Sequence, residues 1–245
     1  MLRQSRLFYR ISGKGFEVQS HNQAISQYVN PRKKDYYDFL YEKFSQLDIK
    51  YVWDVGCATG DFGWYAPSHI KFLNTDIKPE LIEIAKSTRS KSNLDYLVHD
   101  ILNDNSPNDN FDAVCLLGII TAFNDPEELL KAACKSARYV VGHFTLNQDG
   151  WDMKVSHKRS SDDSSKYQNS YNIFSTDTIK TILASQNFRP IYFERFLMST
   201  TLTQEKNLDE LRSYHLETQG DKFTVNQLNI LMRDYIVIAE RCSND

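Results

Sequence analysis

Little in this chain is extreme, and each shortage closes off a class of protein. Its 245 residues contain six prolines and nine glycines, too few for a fibrous or low-complexity chain. No segment repeats at the period of a solenoid. Basic residues are not in excess: 29 lysines and arginines face 32 acids, for a formal net charge of -3. The molecule as a whole therefore has no positive field to attract a polyanion, which counts against nucleic acid as a partner. No run approaches the roughly 18 consecutive apolar residues of a membrane span. The opening MLRQSRLFYRISGKG is positively charged but has no apolar region of a secretion signal, so a cytoplasmic protein without a membrane partner is expected.

The four cysteines, Cys57, Cys115, Cys134 and Cys242, are scattered without metal-ligand spacing, and the first three lie in or beside apolar segments. Free thiols packed as small hydrophobes in a reducing compartment are the simplest reading. No pair among the six histidines has the spacing of a metal site with a cysteine or acid, and no metal is expected.

Between Tyr51 and Val141, apolar runs of about five residues (YVWDV, KFLNT, DYLVH, DAVCLL, RYVVG) alternate with longer helical patterns. Buried parallel strands covered by helices on both faces produce this alternation. PELIEIAKST and PEELLKAACKS each place a proline where a first helical turn begins. STDTIKTILASQNF adds a helix with Ser175 or Thr176 as cap, and PIYFERFLM and DYIVIAERC read as two last strands able to pair antiparallel. The expected fold is α/β: a doubly wound, mostly parallel seven-stranded sheet with helices on both faces and an antiparallel edge strand. Residues 1–48 read as an N-terminal helical extension or cap with two short helices, and 49–245 as a Rossmann-like domain. Within that domain, 144–172 reads as a polar substrate loop, and 199–232, polar with scattered leucines, as a helical insertion.

YVWDVGCATGDFGW, from Tyr51 to Trp64, ends an apolar run in an acid and then sets three glycines within eight residues. Such a turn suits close approach of a ligand to backbone. The dinucleotide pattern G-x-G-x-x-G is not met from any starting glycine, and Asp54 and Asp61 place carboxylates where a pyrophosphate would lie. A Walker A loop fails because no Gly-Lys-Ser/Thr closes the turn. The same acids suit a ligand that is cationic near the turn. FLNTD ends at Asp76, sixteen residues beyond Gly60, where a carboxylate can accept both hydroxyls of a ribose. An NAD site would pass that second test as well.

DVGCATG, Asp54 to Gly60, resembles the D-x-G-x-x-x-G motif of class I S-adenosylmethionine-dependent methyltransferases, with Ala58 where many members have a middle glycine. The resemblance covers approximately residues 50–240. It implies S-adenosylmethionine as cofactor, with Asp54, Gly56, Cys57, Ala58 and Gly60 under its methionine and ribose portions and Asp76 on the ribose hydroxyls. It further implies Asp100 at the adenine amino group, Ile101 and Ile77 packing on the ring, and Leu117 at the end of the fourth strand. Family members that methylate base amines often carry Asn/Asp-Pro-Pro-Tyr/Phe after that strand. This chain has Leu-Gly-Ile-Ile from Leu117 to Ile120, which again counts against DNA or RNA bases.

His143 follows RYVVG at the rim of the fifth strand. A base is needed in methyl transfer only when the nucleophile must lose a proton, and an imidazole suits that task; a histidine bonded into the rim is the plainer reading. His143, Tyr28, Trp151 and Tyr171 are candidate acceptor contacts, with His157, Lys158 and Arg159 forming a basic patch near Trp151. The expected activity is methylation of an oxygen or nitrogen on a small molecule. Methylation of RNA or protein, and a non-catalytic cofactor-binding subunit, remain alternatives, and oligomeric state is open.

Overall fold

The computed structural model describes residues 31–107, 110–158, 169–199, 201, 213–218, 220–226 and 228–243. The chain runs α1 (Pro31–Gln46), β1 (Tyr51–Val55), α2 (Asp61–Tyr65), β2 (Lys71–Asp76), α3 (Pro79–Thr88), β3 (Leu94–Val98), β4 (Phe111–Leu117) and a 3-10 turn (Ile120–Ala122). It continues with α4 (Pro126–Ser136), β5 (Ala137–Asn147), β6 (Met153–His157), β7 (Asn169–Ser175), α5 (Thr176–Ser185), β8 (Phe188–Arg195), β9 (Ser213–Thr218), β10 (Asp221–Asn226) and β11 (Leu231–Arg241).

Strand alternation sends successive side chains to opposite faces, and both faces of this sheet are apolar. Val52, Cys115, Val141, Ile236 and Ile238 pack with Leu40 and Phe44 of α1 and Phe62 of α2. Trp53, Val55, Val114, Leu116, Val140 and Val237 pack with Leu129, Leu130 and Ala133 of α4 and Ile179 and Leu183 of α5. This two-sided burial is why the strands read as continuous apolar runs rather than as alternating ones. The buried indole N–H of Trp53 donates to Thr75 Oγ1 at 2.9 Å, so the largest buried side chain brings no unsatisfied donor into the core.

The central seven strands lie in the order β3-β2-β1-β4-β5-β11-β8. β1 to β5 are mutually parallel, and β11 is antiparallel to both β5 and β8. The doubly wound, mostly parallel sheet is as expected, including the antiparallel pairing of the last two apolar runs. Strand order reverses between β1 and β4, which opens a crevice at their carboxyl ends.

Local signals also hold. Pro79 and Pro126 stand in the first turns of α3 and α4. Asp125 caps α4 by accepting from the Glu127 N–H at 2.8 Å, and Ser175 Oγ caps α5 from the Thr178 N–H at 3.0 Å.

Two expectations are corrected. The described part of the presumed helical insertion is strand: β9 and β10 form an antiparallel hairpin, with Phe223 opposite Leu216 and Val225 opposite Tyr214, and β10 continues onto β11. Tyr214, Leu216, Phe223 and Val225 recur at every second residue, which is a strand period and not a helical one. The polar stretch after Val141 is likewise not one loop. β5 continues to Asn147, and β6 pairs antiparallel with β7 in a ribbon from Met153↔Ile173 to His157↔Asn169. Of the two helices expected before Phe44, α1 begins at Pro31, and residues 22–30 lie outside the described residues. Among the described helices none is long and apolar enough to cross a membrane.

Candidate active site

β1 delivers the chain into the turn at its carboxyl end. Gly56 (φ +70°), Ala58 (φ +51°) and Gly60 (φ +76°) all take left-handed backbone, a region closed to most side chains. A Cβ on Gly56 would lie 2.7 Å from the Ile119 side chain, and one on Gly60 would lie 2.7 Å from the Tyr96 ring. These two glycines are therefore required by space as well as by conformation. The Cys57 N–H donates to the Thr75 carbonyl at 2.9 Å, tying the turn to β2.

Asp76, at the end of β2, braces the turn from the side. Its Oδ2 accepts from the Ala58 N–H at 3.0 Å, and its Oδ1 accepts from the Lys78 N–H at 3.0 Å. Asp54 is 3% exposed beneath the same turn. Burial, with the charges of Asp54 and Asp76 behind it, pushes the Cys57 thiol far above its ordinary value, so Cys57 is a packing group here and not a nucleophile.

Asp100 stands two residues past β3. The neighbouring His99 N–H donates to the Asp76 carbonyl at 3.0 Å, which draws the two strand ends together. Asp100 accepts from the Leu102 N–H at 3.0 Å and from Asn103 Nδ2 at 2.6 Å, and its own N–H donates to Asp104 at 2.8 Å. Ile77 is 43% exposed beside this turn, whereas Ile101 turns inward to the core cluster that holds Trp53 and Leu116. Leu117 ends β4 and is in register with His143; Gly118 follows with φ +76°.

His143 is 6% exposed. Its ring stacks on Tyr36 of α1, with centroids 4.4 Å apart and planes 4° from parallel. Its Nε2 lies 4.0 Å from Asp234 Oδ1 on β11. No feature of the sequence tied Asp234 to His143; the two are far apart along the chain and meet only because β11 inserts beside β5.

The β6–β7 ribbon is anchored to the segment after β4. The buried Asn172 donates to the Phe123 carbonyl at 2.9 Å and to Asn124 Oδ1 at 3.0 Å. Tyr171 sits on this ribbon, partly buried and in register with Val155. Trp151 precedes the ribbon and is 73% exposed, in the connection that leaves the carboxyl end of β5. Burial lowers the pKa of His157 on β6. Tyr28 and Arg159 lie outside the described residues. The structure thus gathers Asp54, Gly56, Cys57, Ala58, Gly60, Asp76, Ile77, Asp100 and Leu117 at or just past the carboxyl ends of β1 to β4. His143, expected at the rim, is level with the end of β4 but buried inside β5, which runs on to Asn147, and Trp151 stands exposed beyond that strand.

Among the described residues, no three His, Cys, Asp or Glu side chains converge as a metal site would need. An open depression lined by Lys50, Tyr51, His69, Lys71, Ser92, Asn93 and Asp95 lies at the opposite, amino ends of the strands and takes no part in this constellation.

Comparison with known proteins fits this geometry. A family model described as a methyltransferase domain matches residues 26–192, about two thirds of the chain. No curated protein matches. Among solved structures, magnesium protoporphyrin IX methyltransferase from Synechocystis PCC 6803, with S-adenosylmethionine bound, superposes with a TM-score of 0.55 at 14% identity, covering 93% of this chain and 92% of that one. An S-adenosylmethionine-dependent methyltransferase from Clostridium acetobutylicum gives 0.56 at 12% identity, over 92% and 98% of the two chains. One from Methanosarcina mazei gives 0.52 at 15%, over 79% and 92%. At such identities the likeness concerns the fold alone, and the family rests on the matched model. The chain belongs to the methyltransferase-domain family, the class I S-adenosylmethionine-dependent methyltransferases.

Proposed function

We propose that this enzyme transfers the methyl group of S-adenosylmethionine to an oxygen or nitrogen of a small-molecule acceptor. The observation that carries the reading is the left-handed turn from Gly56 to Gly60, braced by Asp76 at the point where strand order reverses. When bound, the donor supplies a methyl group already activated by its sulfonium leaving group, so positioning accounts for much of the rate.

The residues present fit that donor. Gly56 and Gly60 carry no side chain that would stand between backbone and ligand. Each Asp76 oxygen accepts one backbone N–H and keeps a further lone pair for a ribose hydroxyl. The negative charges of Asp54 and Asp76 favour a cation over a pyrophosphate. Asp100 and the exposed Ile77 offer an acceptor and an apolar surface for the adenine, and Leu117 borders the reacting end. Ile101 supports that wall from the core side.

On the acceptor side, His143 is read as the base that takes the proton of a hydroxyl or amine. Trp151 and Tyr171 are read as acceptor contacts. Two features support a small acceptor over a polymer: the net charge of -3, and the covering of the rim by Tyr36 on α1 and by the ribbon anchored through Asn172. A labelled-methyl screen across small alcohols and amines, RNA and protein tests the reading. Label is expected in the small-molecule fraction, and His143→Ala is expected to lower turnover there at least tenfold. Label found only in RNA or protein would contradict the acceptor assignment.

A further inference from the structure

The assignment of His143 as base leaves open what holds its ring and its charge. On β5 and β11, His143 and Asp234 are diagonal neighbours on one face of an antiparallel pair: Asp234 is opposite Thr145, and His143 is opposite Ile236. Both side chains are almost wholly buried, with Nε2 and Oδ1 4.0 Å apart. The carboxylate is fixed at both oxygens by neutral donors: Thr145 Oγ1 donates to Oδ1 at 3.1 Å and Thr224 Oγ1 to Oδ2 at 2.7 Å. A buried carboxylate so held is oriented but not charge-compensated, and a nearby group that can become cationic completes it. The imidazole is that group. Tyr36 pins its plane from the α1 side, and Phe196 meets it edge-on, with centroids 6.5 Å apart.

We propose that Asp234 is the positioning residue for His143: it keeps Nε2 turned toward the sheet and stabilises the protonated ring, making the imidazole a stronger base. This rests on the reading of His143 given above. In the step itself, Nε2 carries the hydrogen that faces Asp234, and a new N–H bond forms at Nδ1 of the neutral imidazole as the O–H or N–H bond of the acceptor breaks. The resulting positive charge is matched by the Asp234 carboxylate, which stays unprotonated throughout. The other ionisable groups around the pair come from β10, β9, α1 and β8. Lys222, two residues before Thr224 on β10, spends its ammonium on the Met198 carbonyl, Thr201 and Glu217, and His215 of β9 is opposite the Thr224 that donates to Asp234. Tyr36 faces the ring from α1, and the exposed Glu194 lies one strand farther on β8, in register with Ile236. Asp35 of α1 is engaged by the Ser199 N–H and hydroxyl, each at 2.7 Å.

The test is an NMR titration of the imidazole nitrogens in 15N-histidine-labelled full-length protein, with the His143 signal assigned by His143→Gln. His143 is expected to titrate above the ordinary imidazole value of about 6.5. It is expected to fall by at least one pH unit in Asp234→Asn, a tenfold change in its protonation equilibrium. Equal values in the two proteins, or a wild-type value below about 6.5, would overturn the proposal. Because the wild-type value decides by itself, the test survives a variant that fails to fold. A parallel titration of wild-type protein with S-adenosylmethionine keeps the two claims apart: lack of donor binding sinks the functional reading, while the His143 pKa still decides the role of Asp234.

Discussion

At the scale of single residues, the donor turn carries one unusual choice. Ala58 adopts φ +51°, a conformation that costs a residue with a Cβ about 1–2 kcal/mol relative to right-handed backbone. Its N–H donation to Asp76 helps keep it there. Glycine would remove most of that strain, at an entropic cost of roughly 0.5–1 kcal/mol in the unfolded chain. Ala58→Gly should therefore raise unfolding stability modestly, by up to about 1 kcal/mol, with donor binding retained. Urea denaturation reads the sign, and a clear loss of stability would mean that the methyl group of Ala58 makes contacts outweighing the strain. Gly60→Ala should go the other way, because both its φ and the Tyr96 ring at 2.7 Å oppose a side chain.

At the scale of elements, Ser175 joins three pieces. It ends β7, its hydroxyl caps α5, and its N–H donates to Asp152 at 2.6 Å, while Thr178 donates to the same carboxylate. Ser175→Ala should cost about 1 kcal/mol, typical of a lost cap. Hydrogen exchange should then quicken in the first turn of α5 more than in β1 or β4. Uniform quickening would instead indicate that the cap supports the whole fold.

The same scale shows what was legible in the sequence. β1 to β5 and their helices were, because strands buried on both faces leave continuous apolar runs and the helix starts carry Pro79, Pro126 and Ser175. The β6–β7 ribbon and the β9–β10 hairpin were not. Their buried positions include the polar residues Asn172, Ser175, Thr224 and Asn226, so no continuous apolar run marks them, and what is left is a weak alternation such as Tyr214, Leu216, Phe223 and Val225, easily taken for scattered helical leucines. Site legibility divides in the same way. Asp54, Asp76 and Asp100 each lie within two residues of a strand's carboxyl end, in or just after a readable motif, whereas Asp234 becomes a neighbour of His143 only through the antiparallel insertion of β11.

At the scale of the whole molecule, buried thiols and phenols set the response to alkaline pH. Burial raises the thiols of Cys57 and Cys115, with Asp54 adding to both, and pushes Cys134 up to about 12. Burial likewise raises Tyr37 and Tyr41. With folded values above unfolded ones, this contribution to stability is fully present below about pH 8.5, where unfolded thiols keep their protons. It is lost as pH climbs toward the folded values. For Cys134 the window runs from about 8.5 to about 12, at about 1.4 kcal/mol per pH unit. Urea midpoints should be steady near neutrality and fall steadily above about pH 9; a flat profile to about pH 11 would contradict the burial of these groups.

The central claim is that the turn after β1 and Asp76 together hold the methyl donor. Isothermal titration of the folded protein with S-adenosylmethionine tests it most directly. Saturable binding at one site is expected. Asp76→Ala should weaken it by tenfold or more, from charge-assisted hydrogen bonds worth about 1.5–3 kcal/mol each. Folded wild-type protein that takes up no S-adenosylmethionine, or an Asp76→Ala variant that binds it as tightly as wild type, would contradict the account.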